Sequence, residues 1–183
     1  MVKNTRESMV RSAAALIGKQ GLSATSFSDV LAASGAPRGS IYHHFPDGKR
    51  QLAQEAVQWT SEQVLAHQEA CPGGSPRDVL AWFIELWRGV VVSASGASGC
   101  AVAGVTVELG GEADLVELAR SIFRRWIEVL ADQLATAGLA PEQAARVATT
   151  AVAAMEGALI LCRTEGSAEP LEAIAGALLT LAE

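Results

Sequence analysis

The stretch TSFSDVLAASGAPRGSIYHHFPDGK, residues 25–49, decides the fold class of this chain. It reads as two short helices joined by a tight turn and followed by the start of a third, longer helix. Ser26 has Asp29 three residues on, the pattern of a capping box. Phe27, Val30 and Leu31 then fall at i, i+3 and i+4, one inward stripe. Gly35 sits where this helix must stop, because glycine takes the left-handed end conformation without strain. Pro37 is expected to open the next helix, since its missing N–H would be unpaired there. Ile41 and Phe45 give that helix an inward face. Arg38, Gly39, Ser40, Tyr42 and His43 are left pointing elsewhere, the outer face expected of a helix that enters the DNA major groove.

The segment ends Tyr42-His43-His44-Phe45. In this it resembles the DNA-binding domain of TetR-type transcriptional regulators, whose recognition helix closes in a Tyr-x-x-Phe pattern. The run Phe45-Pro46-Asp47-Gly48-Lys49 is one residue longer than the commonest family form and is similar to the subfamily containing the LmrA and YxaF regulators. The motif covers residues 5–57; beyond it the resemblance is a helix pattern together with Gly99-Cys100. The resemblance implies an all-α protein, a homodimer on double-stranded operator DNA, and repression relieved by a small molecule. It implies Tyr42 and Lys49 as phosphate contacts.

Working outward, charge is placed unevenly. The 183 residues carry a net −6. Residues 1–50 hold seven Lys/Arg against three acids, a net +4, and residues 51–183 hold seven Arg against 17 acids, a net −10. That asymmetry marks one end for nucleic acid. Thr25 and Ser26, at a helix N-terminus, are phosphate candidates beside plain capping. Arg38 and Ser40 are the candidates for base edges, with His43 next; an arginine paired bidentately with guanine is worth about 1–3 kcal/mol of discrimination. Gly39 is assigned to close backbone approach.

On either side, Met9, Ala13, Leu16 and Ile17 predict a bracing helix that ends at Gly21. Leu52, Ala56 and Trp59 mark the inner face of a helix from Lys49 to about residue 70, stopped by Cys71-Pro72-Gly73-Gly74. Ser75 and Asp78 repeat the capping pattern before an apolar face through Val79, Phe83, Ile84 and Trp87. A Ser/Gly loop over 93–99 and a short apolar helix over 100–109 follow. Three more helices are expected: 112–137, from Pro141 to about residue 164, and from Pro170 onward. The total is about nine, with a DNA-binding domain over 1–50 and a ligand-binding and dimerisation domain over 51–183. Small residues at Ala151, Ala154, Gly157 and Ala158 are expected to pair the last two helices with their copies.

Trp82, Phe83, Trp87, Trp126 and Met155 lie on apolar faces of the second half. Each singly reads as core; together they read as the wall of a site for an apolar or aromatic effector. Glu156 is either a solvent-facing residue or a polar anchor there, and Cys100 is either inert or part of the lining. Three separated cysteines without zinc spacing point to a reducing cytoplasm. His43 and His44, about 100° apart on a helix, do not share an ion, and His67 reads as a lone surface histidine. No metal or cofactor is expected. The start MVKNTRESMV lacks the apolar core of a signal peptide. The uncharged run 89–107 is long enough for a membrane but is broken by four glycines and reads as buried helix and loop. An enzyme built on Cys100 or Glu156 is disfavoured, since neither has a base or an orienting group beside it in sequence.

Overall fold

A computed structural model describes residues 5–93, 99–106 and 113–182. Among these residues there are nine helices and no strand. They are α1 (Thr5–Gln20), α2 (Phe27–Ser34), α3 (Ser40–His44), α4 (Gly48–Glu69), α5 (Pro76–Ser93), α6 (Ala101–Gly104), α7 (Ala113–Thr136), α8 (Pro141–Glu165) and α9 (Glu169–Thr180). One compact unit takes residues 1–62 and 100–120, and the other takes 63–99 and 121–183. Both α4 and α7 therefore begin in the first unit and end in the second.

In the first unit α1 packs against α2, α3 and α6. Met9, Ala13 and Ile17 of α1, Val30 of α2, Ile41 of α3, Phe45 and Leu52 are buried, while Leu16 is only partly so. The Ser26–Asp29 capping box forms: Ser26 N–H donates to Asp29 Oδ2 (2.9 Å), and Asp29 N–H donates to Ser26 Oγ (3.2 Å). Gly35 ends α2 at φ +68° and donates its N–H to Leu31 O. Pro37 does not open α3. Its carbonyl instead accepts from the N–H (3.0 Å) and the Oγ–H (2.6 Å) of Ser40, so a turn containing Arg38 and Gly39 precedes a helix of only five residues. Gly104 of α6 is required by contact. A Cβ there would lie 2.5 Å from Ile17 O, so no side chain fits between α6 and α1.

In the second unit α5, α8 and α9 pack on one another. The box at Ser75 repeats that at Ser26: Ser75 N–H donates to Asp78 Oδ2 (2.9 Å), and Asp78 N–H donates to Ser75 Oγ (3.3 Å). Gly138 at φ +119° and Gly166 at φ +63° follow α7 and α8, and Pro141 starts α8. Ala151 and Ala158 are buried within the chain, not left for a partner. Ala154 and Gly157 are half-buried, and the large apolar side chains left exposed in this unit are Val92 on α5 and Ile160, Leu161 and Leu181. By length and composition α8 could cross a membrane. Ala144, Val147, Ala148, Ala151, Met155, Leu159 and Cys162 instead line its inner stripe, as in a core helix. The expected loop over 93–99 and the end of the expected helix over 100–109 lie largely outside the described residues.

Candidate nucleic-acid interface

The surface around α3 is built on two anchors. Ile41 and Phe45 are fully buried, which at about 1.5–3 kcal/mol each pins this short helix to α1 and leaves its other side outward. Tyr42 is 69% exposed, and its ring meets the edge of Phe27 at 5.6 Å. Arg38, Gly39 and His43 are exposed and Ser40 is half-buried. A Cβ on Gly39 would meet nothing within 4 Å, so its space inside the protein is not what favours glycine there. Ser40 Oγ already gives its proton to Pro37 O, so towards DNA it is an acceptor.

The N-terminal side of α2 is more internal than the sequence suggests. Thr25 is only 3% exposed, and its hydroxyl donates to Gly21 O (2.8 Å). Its side chain fastens the end of α1 and is not presented outward. Ser26 is exposed, with its Oγ–H directed to Asp29 Oδ2 (2.6 Å). Hydrogen bonds from the Ser26 side chain and backbone hold the Asp29 carboxyl below its ordinary range, with the charge of Lys49 adding to the effect. Lys49 Nζ donates to Ser23 O (3.2 Å), which sets the ammonium over the loop between α1 and α2. Two of its three N–H donors remain for an anion.

Behind this surface lies a set of polar ties that local sequence did not reveal. Arg50 bonds Asp114 through Nε (2.9 Å) and Nη2, and Gln54 Nε2 reaches the same carboxyl oxygen (3.2 Å). The Arg50 guanidinium holds the Asp114 carboxyl below its ordinary range. The start of α7 is thereby tied to the start of α4, next to Lys49. Arg6 pairs with Glu55 (2.6 Å) and lies over the Phe45 ring at 5.4 Å, and Arg11 lies 6.0 Å from the Trp59 ring. These partners are 39–64 residues apart, so no helical spacing pointed to them.

The residues expected to line an effector site separate into three groups. Phe83, Trp87 and Trp126 are buried and packed edge to face, with centroids 6.1 Å apart for Phe83–Trp87 and 6.0 Å for Trp87–Trp126. Phe123, which the periodicity placed only in the stripe of α7, joins them 5.4 Å from Trp126. Met155 is fully buried on α8, and Glu156 beside it is half-buried. Trp82 does other work. It stacks on His67 at 4.7 Å, its Nε1–H donates to His67 O (2.7 Å), and His67 Nε2 bonds Trp82 O (2.7 Å). His67 is thus a clasp between α4 and α5 and not a lone surface residue. Cys100 is buried at the start of α6, in the first unit, whereas the other candidates belong to the second. Gln68 was missed: almost wholly buried, it donates from Nε2 to Trp126 O (3.2 Å) and accepts at its backbone oxygen from Gln133 Nε2 (2.6 Å).

With this geometry in place, the comparisons with known proteins converge. The family model for bacterial regulatory proteins of the tetR family matches residues 10–56, and the model for the LmrA/YxaF-like regulator C-terminal domain matches residues 76–177. The chain is 38% identical over 179 residues to the HTH-type transcriptional regulator Rv0196 of Mycobacterium tuberculosis, covering 94% of this chain and 91% of that one. It is 31% identical over 175 residues to the HTH-type transcriptional regulator YxaF of Bacillus subtilis, covering 94% and 92%. The crystal structure of a TetR transcriptional regulator from Legionella pneumophila superposes with a TM-score of 0.87 at 24% identity, covering 100% and 99%, which shows the fold.

Proposed function

The chain belongs to the tetR family of bacterial regulatory proteins, with a helix-turn-helix DNA-binding segment and an LmrA/YxaF-like C-terminal domain, and from that premise we propose that it is a homodimeric repressor released from a palindromic operator by a small molecule. The observation that carries the DNA reading is the exposure of Arg38, Tyr42 and His43 around α3 while Ile41 and Phe45 anchor the same few residues from behind. Arg38 reads a base edge; Tyr42, Ser26 and the free donors of Lys49 take phosphates. Two copies of α3 about 34–36 Å apart, one turn of DNA, engage two half-sites. Selection of binding sites from random duplexes should enrich a palindrome, and no enriched palindrome would overturn this reading.

The homodimer is supported by Ile160 and Leu161 on the outer side of α8 and Leu181 at the end of α9, which remain exposed although both helices are packed inside the chain. Truncation after Ser167 removes α9 with Leu171 and Leu178 and uncovers the faces of α5 and α8 that pack on it, so it should yield aggregate. A well-folded truncated monomer in sedimentation would place the interface elsewhere.

Effector control is supported by the aromatic cluster of the second unit. An effector that prefers the non-binding conformation must lower operator affinity, and operator DNA must lower effector affinity by the same factor, with a coupling of about 1–3 kcal/mol. The close ring packing of Phe83, Trp87 and Trp126 favours a second reading, a repressor without a ligand. Operator titrations with and without saturating ligand separate the two, because constant affinity leaves only the second.

A further inference from the structure

Among the described residues of the second unit, the uncharged side chains of Trp87 and Gln68 each bury an atom that has no hydrogen-bond partner, Trp87 Nε1 and Gln68 Oε1. Trp87 is 2% exposed and Gln68 1%. Both residues meet Trp126: the Trp87 ring is 6.0 Å from its ring, and Gln68 Nε2 bonds its carbonyl. The Gln68 amide cannot be turned over without aiming its oxygen at that carbonyl, so Oε1 is the acceptor left over. Trp82, in the same unit, shows the ordinary arrangement, with its indole N–H donating to His67 O at 2.7 Å.

Burying a donor or an acceptor without a partner is costly, and folded proteins keep few such groups. Here one donor and one acceptor are left at the same aromatic cluster, and they are complementary in kind. A site built to hydrogen-bond its ligand discriminates strongly against analogues lacking those groups, because they leave its buried polar atoms unpaired. We infer that Trp87 and Gln68 are the polar handle of the effector site, and that the effector is a neutral, largely apolar molecule carrying both an acceptor and a donor, as a lactam or secondary amide does. The inference rests on the effector reading above and changes its chemistry: a purely apolar compound is a poor effector. Both handles are uncharged, so they reward a neutral molecule and supply no counter-charge to an ion.

The test uses the full chain and three matched bicyclic probes: naphthalene with neither group, quinoline with an acceptor only, and 2-quinolinone with both. The four tryptophans give four indole N–H resonances, and Trp87→Phe identifies the one from Trp87. Affinity should rise along the series, roughly tenfold per added group. The Trp87 indole proton should move downfield with quinoline and 2-quinolinone and little with naphthalene. Trp87→Phe should erase the advantage of quinoline over naphthalene, and Gln68→Leu that of 2-quinolinone over quinoline. The wild-type series decides the matter even where a variant fails to fold. If naphthalene binds as tightly as 2-quinolinone, the effector site stands and the handle is overturned. If the Trp87 proton keeps a nuclear Overhauser contact to a bound water at saturating 2-quinolinone, water is its partner and the handle is again overturned. If none of the three probes shifts any indole resonance up to its solubility limit, both readings fall.

Discussion

The largest fully buried side chains of the first unit are Phe45, Met9, Ile17 and Ile41, with Leu115 of α7, whereas those of the second include Trp126, Phe83, Leu80, Ile84, Leu130, Leu134 and Met155. The first unit is small-cored and tied at its rim by polar contacts: Arg50 and Gln54 to Asp114, Arg6 to Glu55, Lys49 to Ser23. The second concentrates its rings in one cluster and leaves two polar atoms inside it unpaired. A unit that must present an exposed helix of five residues gains precision from a rigid backing. On the effector reading proposed above, a unit that admits a ligand would gather its apolar mass in one place and leave polar groups there for the ligand to satisfy. The two units share one local device, the Ser-x-x-Asp box, at Ser26 and at Ser75, so the contrast lies in long-range packing and not in local propensity.

Breaking the second core should have the largest effect. Trp126 is wholly buried among Trp87 and Phe123. Trp126→Ala should cost about 3–5 kcal/mol in thermal or urea unfolding, so it acts on stability first. Next comes Gly104→Ala in the first unit, where the added Cβ meets Ile17 O at 2.5 Å. A loss of about 1–3 kcal/mol is expected, and an unchanged melting temperature would mean that α6 slides off α1 at no cost. Ser26→Ala and Ser75→Ala should each cost about 0.5–2 kcal/mol. Near-equal losses would confirm that the shared device works alike in both units, and an exclusive loss in one would break the comparison.

Smaller in stability but larger in function are the exposed residues of the first unit. Arg38→Ala and Tyr42→Ala should change stability by no more than about 0.5 kcal/mol, while Arg38→Ala loses selectivity at one base position per half-site. Lys49→Ala should weaken all duplexes alike and lower the salt slope by about one unit, read in gel shifts at several salt concentrations. The smallest effect is on pH dependence. Asp29, Asp78 and Asp114 have folded pKa values held below the ordinary carboxylate value, the first two by Ser26 and Ser75 and the third by Arg50. Their contribution is complete above the unfolded value, near 3.9, and is lost as pH falls through the lower folded values. Acid unfolding of Asp114→Asn should therefore be less steep than that of the wild type below pH 4, because its stability deficit is already complete at pH 7 and closes as pH falls through the folded pKa.

What the sequence determined by itself was set by neighbours a few residues apart. The box at Ser26, the stop at Gly35, the inward pair Ile41 and Phe45, the starts at Pro76 and Pro141 and the helical stripes of α5 and α7 follow from helix periodicity and from end groups that must find partners locally. The Tyr42-x-x-Phe45 ending was enough to identify the regulator family. Tertiary structure decided whatever depends on residues distant in the chain. Two local contacts also escaped the sequence, since Thr25 turned inward to Gly21 O four residues back and the Pro37 carbonyl accepts twice from Ser40 three residues on. His67 found Trp82, and Arg50 found Asp114 across 64 residues. Cys100 fell in a different unit from the tryptophans it was grouped with. Ala151 and Ala158 were spent on packing within the chain. Periodicity tells which face of a helix is apolar; only packing decides which partner covers that face and which buried polar atoms are left to be satisfied.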